Sequence, residues 1–215
     1  GVELAQDGNV LKGSKMISDL ETGITRFPPL GRVRGHFEPA GDEPASSAAP
    51  AFPAAAPGAA HIDLSSTQGK PVDIEADSLT IDDKKRVAMF HGKVKAVQGT
   101  MTMRSSKLGV RYAGKDGSGK PGGGSRITSI RAEGRVLINT AEDQATTSDW
   151  AFFDAAKQTV TIGGNVVLSQ GDNVIKGDEL VIDLKTNRSR FVNRGDASTR
   201  KRVRGLFMPR QPDAQ

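Results

Sequence analysis

Short runs of alternating apolar and polar residues, separated by turn-forming residues, fill the chain from Val72 onward. In the first run, Val72, Ile74 and Ala76 alternate with acidic side chains, which is typical of a strand with one face on a core. The apolar phase shifts by one residue at Leu79 and Ile81, which indicates a bulge or a bend. No segment keeps the apolar period of a helix, so the pattern predicts an all-β protein of many short strands.

The chain also repeats itself. A shift of 72 residues aligns 74–111 on 146–183 with eight identities in 38 positions. A shift of 164 residues aligns 2–27 on 166–191 with twelve identities in 26, and 33–37 then matches 203–207. Such repeats predict one supersecondary unit used several times. The first residues therefore correspond to the closing half of a repeat domain. This half belongs either to a truncated tandem domain or to an element that pairs with another strand edge.

Composition divides the chain into four predicted parts. Residues 39–70 are rich in Ala and Pro, cannot bury enough surface to offset their chain entropy, and predict an extended linker, with a cleavage region as the alternative. A partial repeat precedes them at 1–38, a β domain follows at 71–207, and a disordered tail is predicted at 208–215. No apolar run is long enough for a membrane-spanning helix or for the core of a secretory signal.

The net charge of +5 is unevenly distributed. Residues 185–210 carry nine basic side chains and a single acid, Asp196. Such a segment is either a solvated terminus or a contact for an anionic partner, such as a nucleic acid, a phospholipid or a phosphorylated glycolipid. Single-strand nucleic-acid binders stack bases on aromatic side chains along a basic groove. Here Trp150, Phe152 and Phe153 lie in an acidic stretch away from the basic segment, so nucleic-acid binding is not predicted.

No pattern of catalytic, metal-ligating or cofactor-binding residues is visible. The chain has no cysteine, and His36, His61 and His91 are far apart without a neighbouring ligand pattern. Residues 114–124 approach the spacing of a phosphate-binding loop, but Pro121 and the glycines after it prevent the helix that such a loop requires. The sequence therefore predicts a protein that is not an enzyme and has no cofactor.

Several short motifs follow one another between residue 71 and about residue 207. They are Pro71–Leu79, Val87–Phe90, Gly92-Lys93-Val94, Val97-Gln98-Gly99 and Leu108–Tyr112, followed by Gly164-Asn165-Val166, Gln170-Gly171 and Asp178-Glu179-Leu180. This order resembles the OstA-like family of periplasmic lipopolysaccharide-transport proteins. Residues 1–38 resemble the same family or its membrane-anchored transport component. The half-repeat with its linker and the glycine-rich insertion at 113–125 depart from a simple member.

The resemblance implies an antiparallel β-jellyroll, open along one side, with an apolar interior for acyl chains. It implies a periplasmic, non-catalytic carrier of lipopolysaccharide through its lipid A part. It further implies end-to-end joining of such domains into a bridge between the two membranes. The implied partners are an inner-membrane-anchored component, an outer-membrane assembly protein and further copies joined head to tail. The alternative is a structural β-repeat scaffold without ligand: a carrier predicts an unfilled groove, and a scaffold predicts a packed interior.

Two sets of candidate site residues follow from the strand pattern and the resemblance. The inward set, expected to line the lipid-binding groove, is Ile74, Leu79, Ile81, Phe90, Val94, Met103, Leu108, Val110, Phe153, Ile162, Val166, Leu180 and Ile182. The candidates for contact with glycolipid phosphates are Lys93, Lys95, Arg104, Lys107 and Arg111, each of which could equally be an ordinary exterior charge. Strands at 72–76 and 180–192 are expected to be the complementary joining surfaces. The strands of 1–37 could occupy the same kind of edge.

Overall fold

The structure, a computed structural model, describes residues 1–6, 9–38, 70–113, 126–140, 144–186, 188–193 and 202–207. These residues form strands and turns without a helix, so none of them belongs to a helix that could cross a membrane. The strands are β1 Val2–Gln6, β2 Asn9–Gly13, β3 Ile17–Asp19, β4 Ile24–Phe27, β5 Val33–Phe37, β6 Val72–Ala76, β7 Ser78–Asp82, β8 Val87–Gln98, β9 Met101–Ala113, β10 Arg126–Asn139, β11 Gln144–Asp154, β12 Thr159–Gln170, β13 Asn173–Asp183, β14 Arg188–Val192 and β15 Arg204–Leu206. The all-β prediction is confirmed.

The strands form one antiparallel sheet in which most neighbours along the chain are neighbours in space. Its main path runs β1, β2, β5, β6, β8, β9, β10, β11, β12, β13, β14. A second path joins β3 to β4, β4 to β7 and β7 to β8, and β15 pairs with β13. Each long strand from β8 to β13 thus pairs over most of its length with its neighbours, which aligns their inward side chains in rows across the sheet.

One such row shows how apolar side chains that alternate along each strand line up across the sheet to form a core. Residues at matching positions of successive strands stand opposite each other from β4 to β14: Phe27, Leu79, Phe90, Leu108, Ala132, Ala151, Ile162, Leu180 and Phe191. All of them belong to one hydrophobic cluster or pack against it. Because successive side chains of a strand point to opposite faces, the polar residues between them lie outside.

Three bulges bend the long strands at repeated Gly-x-Val motifs. Register shifts fall between His91 and Val94, between Glu133 and Val136, and between Gly163 and Val166. The two residues of each bulge, which stand opposite one residue of the next strand, have positive φ angles, 78° and 44° at Gly92 and Lys93, for example. Glycine adopts such a φ readily, and bulges increase the bend and twist of a strand. The bulges therefore curve the sheet so that inward residues on both sides of them share one core.

The first five strands belong to the same sheet as the rest. β5 pairs with β6, from Val33 opposite Ala76 to Phe37 opposite Val72, and β4 pairs with β7. The prediction that strand 72–76 offers a free joining surface is therefore wrong for this chain, because a strand of its own half-repeat occupies that edge.

The division into parts at 38, 70 and 207 stays a prediction. The tail at 208–215, nearly all of the linker and residues 114–125 lie outside the described residues.

Candidate functional site

The predicted inward residues come together in the interior of the curved sheet. Eleven of the thirteen belong to the hydrophobic core, and none of those eleven is more than 8% exposed. Met103 is partly buried and packs against the same cluster. Phe153 is half-buried in a row between Ile130 and Val160, and it is not part of the cluster. The sequence pattern thus located an apolar interior. Its use as a groove stays a prediction.

Among the described residues, the core side chains of this interior pack against one another. Phe90, Leu180 and Ile182 have no exposed surface, and Leu79, Val94 and Leu108 have 1% each. A well-packed apolar core of this kind is stabilised by burial of about 25 cal/mol per Å² of apolar surface. A ligand that uses these residues must therefore displace contacts between them.

Sequence reasoning missed a set of partly buried apolar residues at the ends of the same strands. They pack against the core and keep part of their surface accessible: Met101, Ile127, Ile130, Val160, Leu184 and Phe191. Most of them continue the inward alternation by one further step, as Met101 does before Met103. That continuation was the signal available in the sequence. These residues are the apolar groups that a ligand can reach first.

The five basic candidates lie on the outer face of the sheet and do not form one cluster. Lys95 stands opposite Arg104 in the β8–β9 pair, and neither has an ion-pair partner among the described residues. Lys107 Nζ lies 3.8 Å from Glu133 Oε2. Arg104 and Arg111 are seven positions apart on one strand, roughly 20 Å. Lys95 and Arg104 can therefore contact one phosphate together, whereas Lys93 and the others act singly.

A depression of about 620 Å³ lies outside the sheet, over β1, β2, β5, β6 and β8. Most of the charges around it are paired. Lys12 Nζ lies 3.2 Å from Glu3 Oε2, and Arg34 Nε lies 3.1 Å from Glu75 Oε1. His36 Nδ1 is 2.6 Å from an Asp73 carboxylate oxygen. Such exposed pairs contribute about 0 to 1 kcal/mol each. The depression is thus a charged surface around the β5–β6 pairing. Lys95, which stands opposite Arg104, also lines it and forms no ion pair with a described residue.

Chemistry that would indicate catalysis is not visible among the described residues. They contain no group of three His, Asp or Glu side chains that could hold a metal. Tyr112, the single tyrosine of the chain, has a structural role. Burial raises the pKa of Tyr112, and its hydroxyl donates a hydrogen bond to Asp83 at 3.4 Å. His91 is exposed on β8, away from His36.

The fold and its interior define an antiparallel β-jellyroll with an apolar interior and a polar, charged exterior. A family described as "LptA/(LptD N-terminal domain) LPS transport protein" matches residues 73–188, more than half of the chain. The chain belongs to this family.

Two of the similar proteins have names that agree with this assignment. The lipopolysaccharide export system protein LptA of Escherichia coli K12 is 28% identical over 150 residues, which cover 66% of this chain and 73% of LptA. The export system protein LptH of Pseudomonas aeruginosa is 24% identical over 155 residues, 69% of this chain and 85% of LptH. An uncharacterized protein of Rhizobium meliloti is 33% identical over 129 residues, 60% of this chain and 68% of that protein. The relatives support a role in lipopolysaccharide transport.

The fold has a counterpart among solved structures. The crystal structure of LptH, described as the LptA-homologous periplasmic component of the lipopolysaccharide transport device of P. aeruginosa, superposes with a TM-score of 0.54. The match covers 67% of this chain and 99% of LptH at 17% identity. The prediction of a β-jellyroll of the OstA-like type is confirmed.

Proposed function

We propose that the protein is a non-catalytic periplasmic carrier of lipopolysaccharide that shields the acyl chains of lipid A in its interior. The observation that carries this proposal is the continuous apolar interior across β4 to β14, in a chain of a lipopolysaccharide-transport family. A buried methylene is worth about 0.8 kcal/mol, so an acyl chain of about fourteen carbons left in water costs on the order of 10 kcal/mol. A carrier needs apolar surface for such chains and no catalytic group.

Because the core side chains are buried, acyl chains can enter among them only if these side chains move apart. The partly buried residues such as Met101, Ile130 and Val160 are the first apolar contacts for an acyl chain, and the core residues then exchange contacts with one another for contacts with the lipid. Added volume in a packed core forces side chains apart, and burial of the acyl chains must offset that cost. Lys95 and Arg104 are the pair suited to a lipid A phosphate, through charge-assisted hydrogen bonds.

End-to-end joining is the second part of the proposal. The partners are an inner-membrane-anchored component, an outer-membrane assembly protein and further copies of this chain, and the contacts form by addition of strands to a sheet edge. The outer edges of β14 and β15 pair with no other described strand. A strand edge of that kind recruits another strand because its N–H and C=O groups are unpaired.

The second candidate function is a structural β-repeat scaffold without ligand, and the packed interior favours it. Native mass spectrometry of the protein purified from its source separates the two. Bound glycolipid supports the carrier, and a ligand-free chain supports the scaffold.

Charged substitutions test the interior directly by photo-crosslinking to lipopolysaccharide. Phe90→Asp or Leu108→Asp places a charge against the acyl chains at a cost of several kcal/mol, about 2 or more, to binding or folding. Because both side chains are buried, Met103→Asp and Ile130→Asp provide partly buried alternatives with less effect on folding. His91→Asp on the outer face of the same strand is the matched control and should bind normally. Unchanged crosslinking in folded interior variants contradicts the proposal.

A further inference from the structure

The bulges of β8 and β12 are equivalent both in the sequence repeat and in their backbone. A shift of 72 residues places Gly92 on Gly164, and both have a φ of 78°. A Cβ at either glycine would collide with an aspartate side chain, Asp77 in β8 and Asp149 in β12. Because a bulge interrupts the regular pairing of a strand, side chains that contact it help to hold its bent backbone. The two aspartates thus occupy the same place beside two equivalent bulges.

In β12 the bulge supplies its own partner for the aspartate. The residue after Gly164 is Asn165, whose Nδ2 donates a hydrogen bond to Asp149 Oδ2 at 3.0 Å. Asn165 has a φ of 52°, and Asn is among the residues that most readily adopt a positive φ. The bulge of β10 contacts the neighbouring strand β9 in a similar way, since Ser106 Oγ donates to the Gly134 carbonyl at 3.0 Å. Both bulges are therefore completed by residues of β9 to β12.

In β8 the position of the asparagine is a lysine, and the partner of the aspartate comes from the half-repeat. Lys93 occupies the position of Asn165 and has a φ of 44°. Arg32, the residue before β5, has Nη1 3.4 Å from Asp77 Oδ1, and its Nη2 donates to the Lys93 carbonyl at 3.3 Å. Nη2 also lies 3.4 Å from Glu75 Oε2. One guanidinium therefore contacts β6, the residue between β6 and β7, and the bulge of β8.

The backbone shows why this place matters for the sheet. The Asp77 N–H donates to the carbonyls of His91 at 3.1 Å and of Gly92 at 2.9 Å, so the break between β6 and β7 is anchored on the bulge of β8. Arginine suits a site with several acceptors because its planar guanidinium holds five N–H donors in a fixed arrangement. A single residue of the half-repeat can thus fix the break and the bulge together.

Buried residues adjoin this contact along each chain segment. Val33, Ala76 and Val94 are next in sequence to Arg32, Asp77 and Lys93, and none of the three is more than 1% exposed. Bulges set the local bend and twist of a strand, so a change at the bulge of β8 also moves the inward side chains on either side of it. The contact therefore connects the pairing of β5 with β6 to the shape of the apolar interior.

We propose that Arg32 is a positioning residue that completes the bulge of β8 when the half-repeat docks on β6, and that it thereby couples this docking to the curvature of the sheet around the interior. The bulge of β12 needs no such residue, because Asn165 fulfils this role there. A jellyroll with a closing strand pair docked on its first strand thus differs from a free one in the shape of its interior as well as in its covered edge. This coupling is a property of the sheet and does not depend on lipid binding.

Amide hydrogen exchange of the full chain, resolved by NMR spectroscopy, tests this role. Arg32→Met keeps an apolar stem but removes the guanidinium, and the amides of Asp77 and of residues 91–95 should exchange about threefold to tenfold faster. Arg34→Met is the matched control. It makes the same change in charge and removes the contact with Glu75 at 3.1 Å, the one ion pair that Arg34 forms with a described residue. It should leave exchange at Asp77 unchanged.

A rescue variant distinguishes positioning of the bulge from a general contribution to stability. Lys93→Asn introduces at the bulge of β8 the residue that holds the aspartate at the bulge of β12. The Arg32→Met/Lys93→Asn chain should therefore exchange at Asp77 nearly as slowly as the unmodified chain. Conversely, Asn165→Ala should speed exchange at residues 163–166 and leave Asp77 unchanged.

The outcomes are decisive for Arg32. Unchanged exchange at Asp77 in Arg32→Met overturns the proposal. An equal acceleration in Arg34→Met, or one spread evenly over β5 and β6, also overturns it, because the two arginines then only stabilise the strand pairing. Failure of Lys93→Asn to restore slow exchange shows that the bulge does not depend on a side-chain partner for Asp77, and it overturns the proposal as well. Crosslinking to lipopolysaccharide tests the carrier function separately.

Discussion

Four aspartates occupy equivalent turns at one end of the strand pairs: Asp19, Asp82, Asp154 and Asp183. Each side chain accepts a hydrogen bond from the backbone N–H three residues later, at 2.9 to 3.1 Å. The backbone hydrogen bond is the main cause that holds the pKa of the carboxyl below its ordinary value at Asp19, Asp154 and Asp183. At Asp82 the hydrogen bond from the Lys85 side chain lowers the pKa most, followed by that from the Lys85 backbone. The sequence repeat thus also repeats, at each of these turns, an aspartate whose pKa is lowered by hydrogen bonds.

A lowered pKa in the folded state gives a signed dependence of stability on pH. The contribution of each aspartate is complete above its unfolded pKa of about 3.9 and is lost as pH falls through the lower folded value. We expect the free energy of unfolding in urea to decrease below about pH 4. Replacing all four by Asn keeps an acceptor for the turn and should flatten this decrease. An equally steep decrease in the Asn variant contradicts the assignment.

Glycines with a positive φ, in a bulge and in a turn, are a second feature at the scale of residues. Gly164 has a φ of 78°, and a Cβ there would collide with the Asp149 side chain, whereas Gly171 has a φ of 53° with nothing within 4 Å. Gly171→Ala should therefore cost about 1 kcal/mol for the backbone alone. Gly164→Ala should cost more, about 2 to 3 kcal/mol, because the clash is added. Equal losses in thermal or urea unfolding would show that Asp149 moves away without cost.

At the scale of elements, the pairing of β5 with β6 decides which residues of a half-repeat are core. Val33 and Val203 are equivalent in sequence, but β6 covers only the first. Val33→Ala should destabilise the protein by about 1 to 3 kcal/mol through loss of buried methyl groups. Val203→Ala should change stability by less than about 0.5 kcal/mol. Similar losses at both positions would indicate that the two edges are covered alike in solution.

At the scale of the whole molecule, the half-repeat controls which sheet edges are available. Deleting residues 1–60 removes β1 to β5 and uncovers β6 and β7, so that one copy can pair with β14 and β15 of the next. Contacts between different surfaces do not close on themselves, which gives oligomers of variable length. Light scattering should show larger, concentration-dependent species for the truncated chain than for the full chain. Deleting residues 193–215 as well should shorten them, since it removes β15.

A monomer at high concentration, both with and without residues 1–60, contradicts end-to-end joining of this chain. Circular dichroism of the truncated chain is the control, because loss of the β spectrum would mean that the strands after the linker require β4 and β5 to fold.

Much of the fold was predictable because the relevant signals are local. Alternation assigns each side chain to one face of its strand, so inward residues such as Phe90 and Leu180 were identified from the sequence alone. The turn at Asp77, where the apolar phase shifts before Leu79, also followed from the pattern. Phe153 was less predictable: it stands opposite Ile130 and Val160 on the neighbouring strands, but it is not part of the core cluster.

The sequence by itself determined the all-β class, the inward residues and the repeat. The face of a strand on which a side chain lies, and the positive φ that glycine permits, depend on only a few neighbouring residues. Only the tertiary structure decided that the half-repeat pairs with β6 and β7, and how deeply the core side chains are buried. Residues 33–37 and 203–207 differ at one position of five, so nothing local distinguishes a covered edge from a free one. The difference arises from pairing between segments distant in the chain, where contacts must offset the entropy of closing a long loop.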